Sequence, residues 1–148
     1  MTKILIVYGS TTGNTETVSQ KIEALLAKDY DVVLQNVSET KPRNLAENYD
    51  VLLFGSSTWG ADDIEFQQDF SDFFEDFNLI GINGKKVAAF GCGDSSFEYF
   101  CGAVDAIEEK TKDLGGNVIV SGLKIDGDPE DFENEIQDWV KQLKSKLS

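Results

Sequence analysis

The chain contains no histidine, which removes the commonest general base and the commonest nitrogen ligand for a metal. Cysteine is nearly absent as well: the only two, Cys92 and Cys101, stand nine positions apart. That spacing builds neither a disulfide framework nor a zinc site, and it favours a reduced, cytoplasmic setting. Base is scarce, with 13 Lys and Arg against 27 Asp and Glu for a net charge of -14. This balance argues against nucleic acid and anionic membrane as partners and for partners with basic surfaces. No apolar run approaches the roughly 20 residues that a membrane-spanning helix needs, and the chain opens on a strand pattern rather than a signal peptide. What remains is ordinary globular material. Its 148 residues are 41% hydrophobic, enough for one domain over residues 1–148 with a sizeable core.

Hydrophobic periodicity divides that domain into alternating strands and helices. Ile4-Leu5-Ile6-Val7 is an unbroken apolar run, the pattern of a strand buried on both faces. Val18, Ile22, Leu25 and Leu26 share one face of a helix expected from about Asn14 to Lys28. Further strands are expected at 31–36, 50–55 and 86–91, and a fifth begins at 117–120 and continues past a bulge at Gly122 toward Ile125. Phe66, Phe70, Phe73, Phe74 and Phe77 recur at helical spacing. Ala103, Val104, Ile107 and Leu114 mark another helix, which Gly115-Gly116 ends, and Phe132, Ile136, Trp139, Val140 and Leu143 face inward from a last one. Strict alternation predicts an α/β fold with a parallel sheet and helices on both faces, and ligands in such sheets sit beyond the carboxyl ends of the strands.

Three of those carboxyl ends run into glycine and small polar residues. In the first, Ser10, Thr11, Thr12, Gly13, Asn14 and Thr15 lie between strand and helix. A helix N-cap needs one such residue; five with a glycine among them suggest an anion held by hydroxyls, amides and the helix dipole. The loop contains no Lys, so it is no Walker loop, and Gly9 and Gly13 lack the dinucleotide spacing. A phosphate monoester suits it better than a triphosphate. The second loop, Ser57-Thr58-Trp59-Gly60, offers a flat indole at a polar rim and a glycine free to take positive φ. The third, Gly91 to Cys101, is rich in glycine and aromatics, and Phe97 is placed to stack on a planar ligand from the side opposite Trp59. With no histidine to activate them, Cys92 and Cys101 read as packing residues rather than nucleophiles.

At these three loops, and along its whole length, the sequence resembles the flavodoxin family, especially the short-chain members of sulfate-reducing anaerobes. Tyr8-Gly-Ser-Thr-Thr-Gly-Asn-Thr15 is similar to that family's phosphate loop. Ser57-Thr-Trp-Gly60 and Gly91-Cys-Gly-Asp-Ser-Ser96 are similar to its two isoalloxazine loops. The resemblance implies a flavodoxin-like, three-layer, doubly wound sandwich with a five-stranded parallel sheet in the order 2-1-3-4-5, and non-covalently bound FMN as cofactor. It assigns the phosphate to Ser10, Thr12, Asn14, Thr15 and the neighbouring backbone of Thr11 and Gly13, with help from Ser57. Thr58 falls to the ribityl chain and Trp59 to one face of the ring. From the third loop it draws in Cys92, Gly93, Asp94, Phe97, Tyr99 and Cys101. Phe97 departs from the tyrosine usual at the coplanar stacking position, and Ala61 stands where an acid is common.

The implied role is a low-potential electron carrier, monomeric, cytoplasmic and without a substrate of its own. Its partners would be electron-transfer enzymes and redox proteins with basic surfaces, such as c-type cytochromes. A flexible peptide at Gly60 would turn its carbonyl toward flavin N5 once that atom is protonated. Between Asn44 and Glu109 there are fourteen acids and two bases, a field that disfavours added negative charge on the flavin. Two other readings compete. A flavin-dependent quinone or NAD(P)H reductase needs a second ligand pocket, and a phospho-receiver domain needs an acid pair after the first strand; neither pattern is evident.

Overall fold

The computed structural model describes residues 2–9, 13–56, 58–59, 65–66, 68–93 and 102–147, and of residues 58, 59, 65, 66, 68 and 69 the backbone only. Strand β1 (Lys3–Gly9) is followed by helix α1 (Asn14–Leu26), β2 (Asp31–Asn36) and β3 (Val51–Ser56). A small pair, β4 (Thr58–Trp59) and β5 (Glu65–Phe66), precedes helix α2 (Gln68–Glu75). Then come β6 (Lys86–Gly93), α3 (Gly102–Asp113), β7 (Asn117–Val118), β8 (Leu123–Asp126) and α4 (Glu133–Leu147).

The main sheet is parallel with the order β2-β1-β3-β6, and β7 and β8 both pair with β6 on its far side. The expected order 2-1-3-4-5 therefore holds, with the fifth strand in two pieces. Residues 119–122 interrupt it, a wider break than a one-residue bulge. Two side-chain contacts fill the gap: Trp139 donates its indole N–H to the Ser121 carbonyl at 2.8 Å, and the Glu108 carboxylate accepts from the Gly122 amide.

Because side chains alternate along a strand, the unbroken apolar runs feed two cores at once. Ile4 and Ile6 of β1, Val51 and Leu53 of β3, and Ala88 and Phe90 of β6 pack beneath α1 and α4. Leu5, Val7, Leu52, Phe54, Val87 and Ala89 face the other way, toward α2 and α3. The phenylalanine stripe belongs to this second core, but it is not one helix. Phe70 and Phe73 are buried on α2, and Phe77 lies beyond it in a 3-10 turn with its ring 4.8 Å from Phe54. Phe66 is in β5, outside the helix.

Helix α1 stops at Leu26, two residues short of expectation, and the Leu26 carbonyl accepts from Asp29 and Tyr30 in the turn that follows. Gly115 and Gly116 end α3 as anticipated. Gly115 takes φ 84°, its amide bonds the Lys112 carbonyl, and the Gly116 amide reaches back to Thr111 at 2.9 Å.

Candidate functional site

The register of the sheet brings the carboxyl ends of its central strands to one edge. Gly9 lies opposite Ser56, and Gly93 opposite Asp126. At β1 the winding reverses: β2 lies on one side and β3 on the other, so a crevice opens above the β1 and β3 ends. Helix α1 starts at that crevice.

Its N-cap is Gly13, in the left-handed region at φ 95°. A methyl group built on Gly13 would meet nothing within 4 Å. The Gly13 carbonyl accepts from both the amide and the hydroxyl of Thr17, each at 2.9 Å, which fixes the first turn. Asn14 is half-buried, and its Nδ2 donates to the Gly127 carbonyl at a long 3.4 Å. Thr15 is fully buried and is hydrogen-bonded to Cys92, which rises from β6 beneath it.

Cys92 is a core residue. It is 5% exposed, and burial pushes its thiol up to about 11, only partly offset by Thr15. A protonated, enclosed thiol is no nucleophile, which agrees with the packing role expected for it. Gly93 follows at the strand end and accepts from the Gly127 amide at 3.1 Å.

The second loop is built as a hairpin that its sequence did not announce. Thr58 pairs with Phe66 and Trp59 with Glu65, antiparallel, so both ends of the segment 60–64 are held by main-chain pairing. Two-residue strands leave too short a pattern to read.

Two bases on the neighbouring elements are paired with acids. Lys21 of α1 is paired with Glu133 and lies 3.5 Å from Glu130, and its ammonium is held above the ordinary range first by the Glu133 bond. Lys124 of β8 lies 2.8 Å from Asp105. At the end of β1, Tyr8 donates its phenol to Glu16 at 2.8 Å; burial, then that bond, raises its pKa.

Among the expected site residues, Gly13, Asn14, Thr15, Cys92 and Gly93 gather around the α1 start, and the main chain of Thr58 and Trp59 flanks the β3 exit. Ser10, Thr11, Thr12, Ser57, Gly60, Asp94, Phe97, Tyr99 and Cys101 lie outside the described residues. Gly127 was not anticipated. Its Asp126-Gly127 dipeptide reads as a turn, but nothing local points to Asn14 or Gly93.

A family model, described as flavodoxin, matches residues 6–139, spanning all three loops and both cores. The chain belongs to the flavodoxin family. A flavodoxin of Maridesulfovibrio salexigens is 51% identical over 148 residues, 99% of this chain and 100% of the relative. One from Nitratidesulfovibrio vulgaris is 43% identical with the same coverage. Both are relatives from sulfate-reducing bacteria, in line with the resemblance to that group's short-chain members. Among solved structures, oxidised flavodoxin 2 from Bacillus cereus superposes with a TM-score of 0.87 at 37% identity, covering 97% of this chain and 99% of that one.

Proposed function

We propose that the chain is an electron carrier that holds FMN non-covalently at the crevice above β1 and β3 and passes electrons between redox proteins. The observation that carries this reading is the start of α1 at the point where the sheet's winding reverses, with Asn14 and Thr15 in its first turn, in a chain of the flavodoxin family. Amide donors, a hydroxyl and the positive end of a thirteen-residue helix fit a phosphate monoester. FMN, when bound, supplies the redox chemistry by taking up and releasing electrons.

The chain's own residues bind and tune. Ser10, Thr11, Thr12, Gly13, Asn14, Thr15 and Ser57 hold the phosphate, and Thr58 the ribityl chain. Trp59 and Phe97 would cover the ring and exclude water from it, and Asp94 and Tyr99 would contribute from the third loop. Cys92 contributes through its main chain, because its side chain is committed to the core. The acidic field from residues 44–109 raises the cost of negative charge at the ring and so keeps the potential low. The same field selects redox partners with basic surfaces, c-type cytochromes among them.

The family relatives are electron carriers rather than enzymes, and no catalytic residue is assigned. No helix among the described residues is long and apolar enough to cross a membrane. A monomer at work in the cytoplasm, folded as one FMN domain over residues 1–148, completes the reading.

Titrating the flavin-free chain with FMN tests it. The expected result is saturation at one FMN per chain with quenching of flavin fluorescence, and a two-step anaerobic redox titration of the complex. Absence of binding, or steady NAD(P)H consumption without a protein partner, would overturn it.

A further inference from the structure

The residue that joins the two halves of the candidate site lies in neither of them. Gly127, exposed at the end of β8, is hydrogen-bonded on both sides. Its amide donates to the Gly93 carbonyl at 3.1 Å, at the root of the third loop. Its carbonyl accepts from Asn14 Nδ2 at 3.4 Å, at the start of α1. Both bonds are made by one residue, whose φ is 90°. That conformation is disfavoured for an L-residue with a Cβ, yet a methyl group there would touch nothing within 4 Å. The demand for glycine is therefore conformational, not steric.

The rest of the turn is fastened to the same helix. Asp128 accepts from the Glu130 amide at 2.9 Å and Pro129 is buried, which stiffens the exit. Glu130 and Glu133 then reach Lys21, seven residues and two helical turns beyond Asn14. The segment from Gly127 to Glu133 thus lies along the first half of α1 and is pinned at both ends.

We propose that the Gly127 turn is a positioning element that fixes the phosphate-side loop against the ring-side loop through its paired bonds to Asn14 and Gly93. This rests on the FMN reading of the site. A turn that merely let the chain leave β8 would need neither bond.

Three variants of the full chain test the proposal: Gly127→Ala, Asn14→Ala and the double variant, with Gly127→Asn as the conservative control, since Asn tolerates the left-handed region. Far-UV circular dichroism checks folding. Gly127→Ala is expected to raise the FMN Kd about tenfold and to change the visible circular dichroism of the bound ring. Gly127→Asn should recover most of both. The double variant should lose less affinity than the two single losses multiplied together, because the Asn14–Gly127 bond is shared by both changes. Unchanged Kd and ring spectrum in Gly127→Ala, or losses that multiply in full, would overturn the proposal.

Amide exchange at Gly127 keeps this separate from the question of FMN binding. In the chain without flavin, Asn14→Ala is expected to speed exchange at that amide; an unaltered rate would sink the link even if FMN binds. Should the unmodified chain fail to bind FMN, the proposed function falls, and the exchange measurement still decides the link. Should Gly127→Ala fail to fold, Asn14→Ala carries the test through exchange and the ring spectrum.

Discussion

Single residues in this chain are constrained most tightly where β3 and β6 meet at the site edge. A methyl group on Gly91 would lie 2.2 Å from the Ser56 carbonyl oxygen, which cannot move without breaking the sheet. Gly91→Ala is expected to cost about 3 kcal/mol, read as a lower urea midpoint. Thr111 presents the opposite case. Its hydroxyl is buried in α3 without a hydrogen-bond partner among the described residues. Thr111→Val keeps the shape and removes the unpaired group, so it should leave stability unchanged or raise it by about 1 kcal/mol. Cys92 gives a pH dependence. Its thiol is pushed from 9.0 to about 11 in the fold, so the unfolded chain releases this proton first. Stability from this group is intact below about pH 9 and falls as pH rises toward 11, by about 3 kcal/mol in all. Urea midpoints across that range should show the decline, and Cys92→Ala should flatten it. The sequence marked Gly13, Asn14 and Thr15 as a candidate site because polar residues crowd one turn. It hid Gly91 and Gly127, whose demands come from Ser56, Asn14 and Gly93, all distant in the chain.

At the scale of elements, long periodic segments were readable and short ones were not. The buried runs of β1, β3 and β6 and the inward face of α4 announce themselves, because each repeats one rule over many residues. The β4–β5 hairpin and the split of the last strand do not, since two-residue strands have no period. The Phe spacing misled for a related reason: Phe66, Phe70, Phe73 and Phe77 fit one helix on paper, but they are divided among a strand, α2 and a 3-10 turn. What unites the buried ones is a shared cluster around Phe54. Phe77→Ala should therefore cost about 3–5 kcal/mol in chemical denaturation, as a core substitution would, although it lies outside any α-helix. Trp139→Phe keeps the ring packed against Phe90 but removes the donor to Ser121, and should cost about 1–2 kcal/mol.

The whole molecule carries a net charge of -14 on 148 residues, and charge of that size repels itself. Raising ionic strength from about 0.01 M to 0.1 M shortens the Debye length from roughly 30 Å to 10 Å. The flavin-free chain should melt at a higher temperature in the saltier buffer. Electron transfer to a basic cytochrome should slow over the same range, because attraction is screened as repulsion is. A transfer rate indifferent to salt would show that the acidic surface serves solubility and not encounter.

The bases that remain are not spread evenly. Lys3 and Lys86 begin β1 and β6, and the Lys86 ammonium reaches the Lys146 carbonyl, 3.3 Å away near the end of α4. The last described turn of the chain is thereby anchored at the amino ends of the strands, at the pole opposite the crevice. A linker attached there would hold the molecule to an electrode or a fused enzyme by its back. The electron-exchanging face would then point outward, and a tether chosen for convenience would also set the orientation.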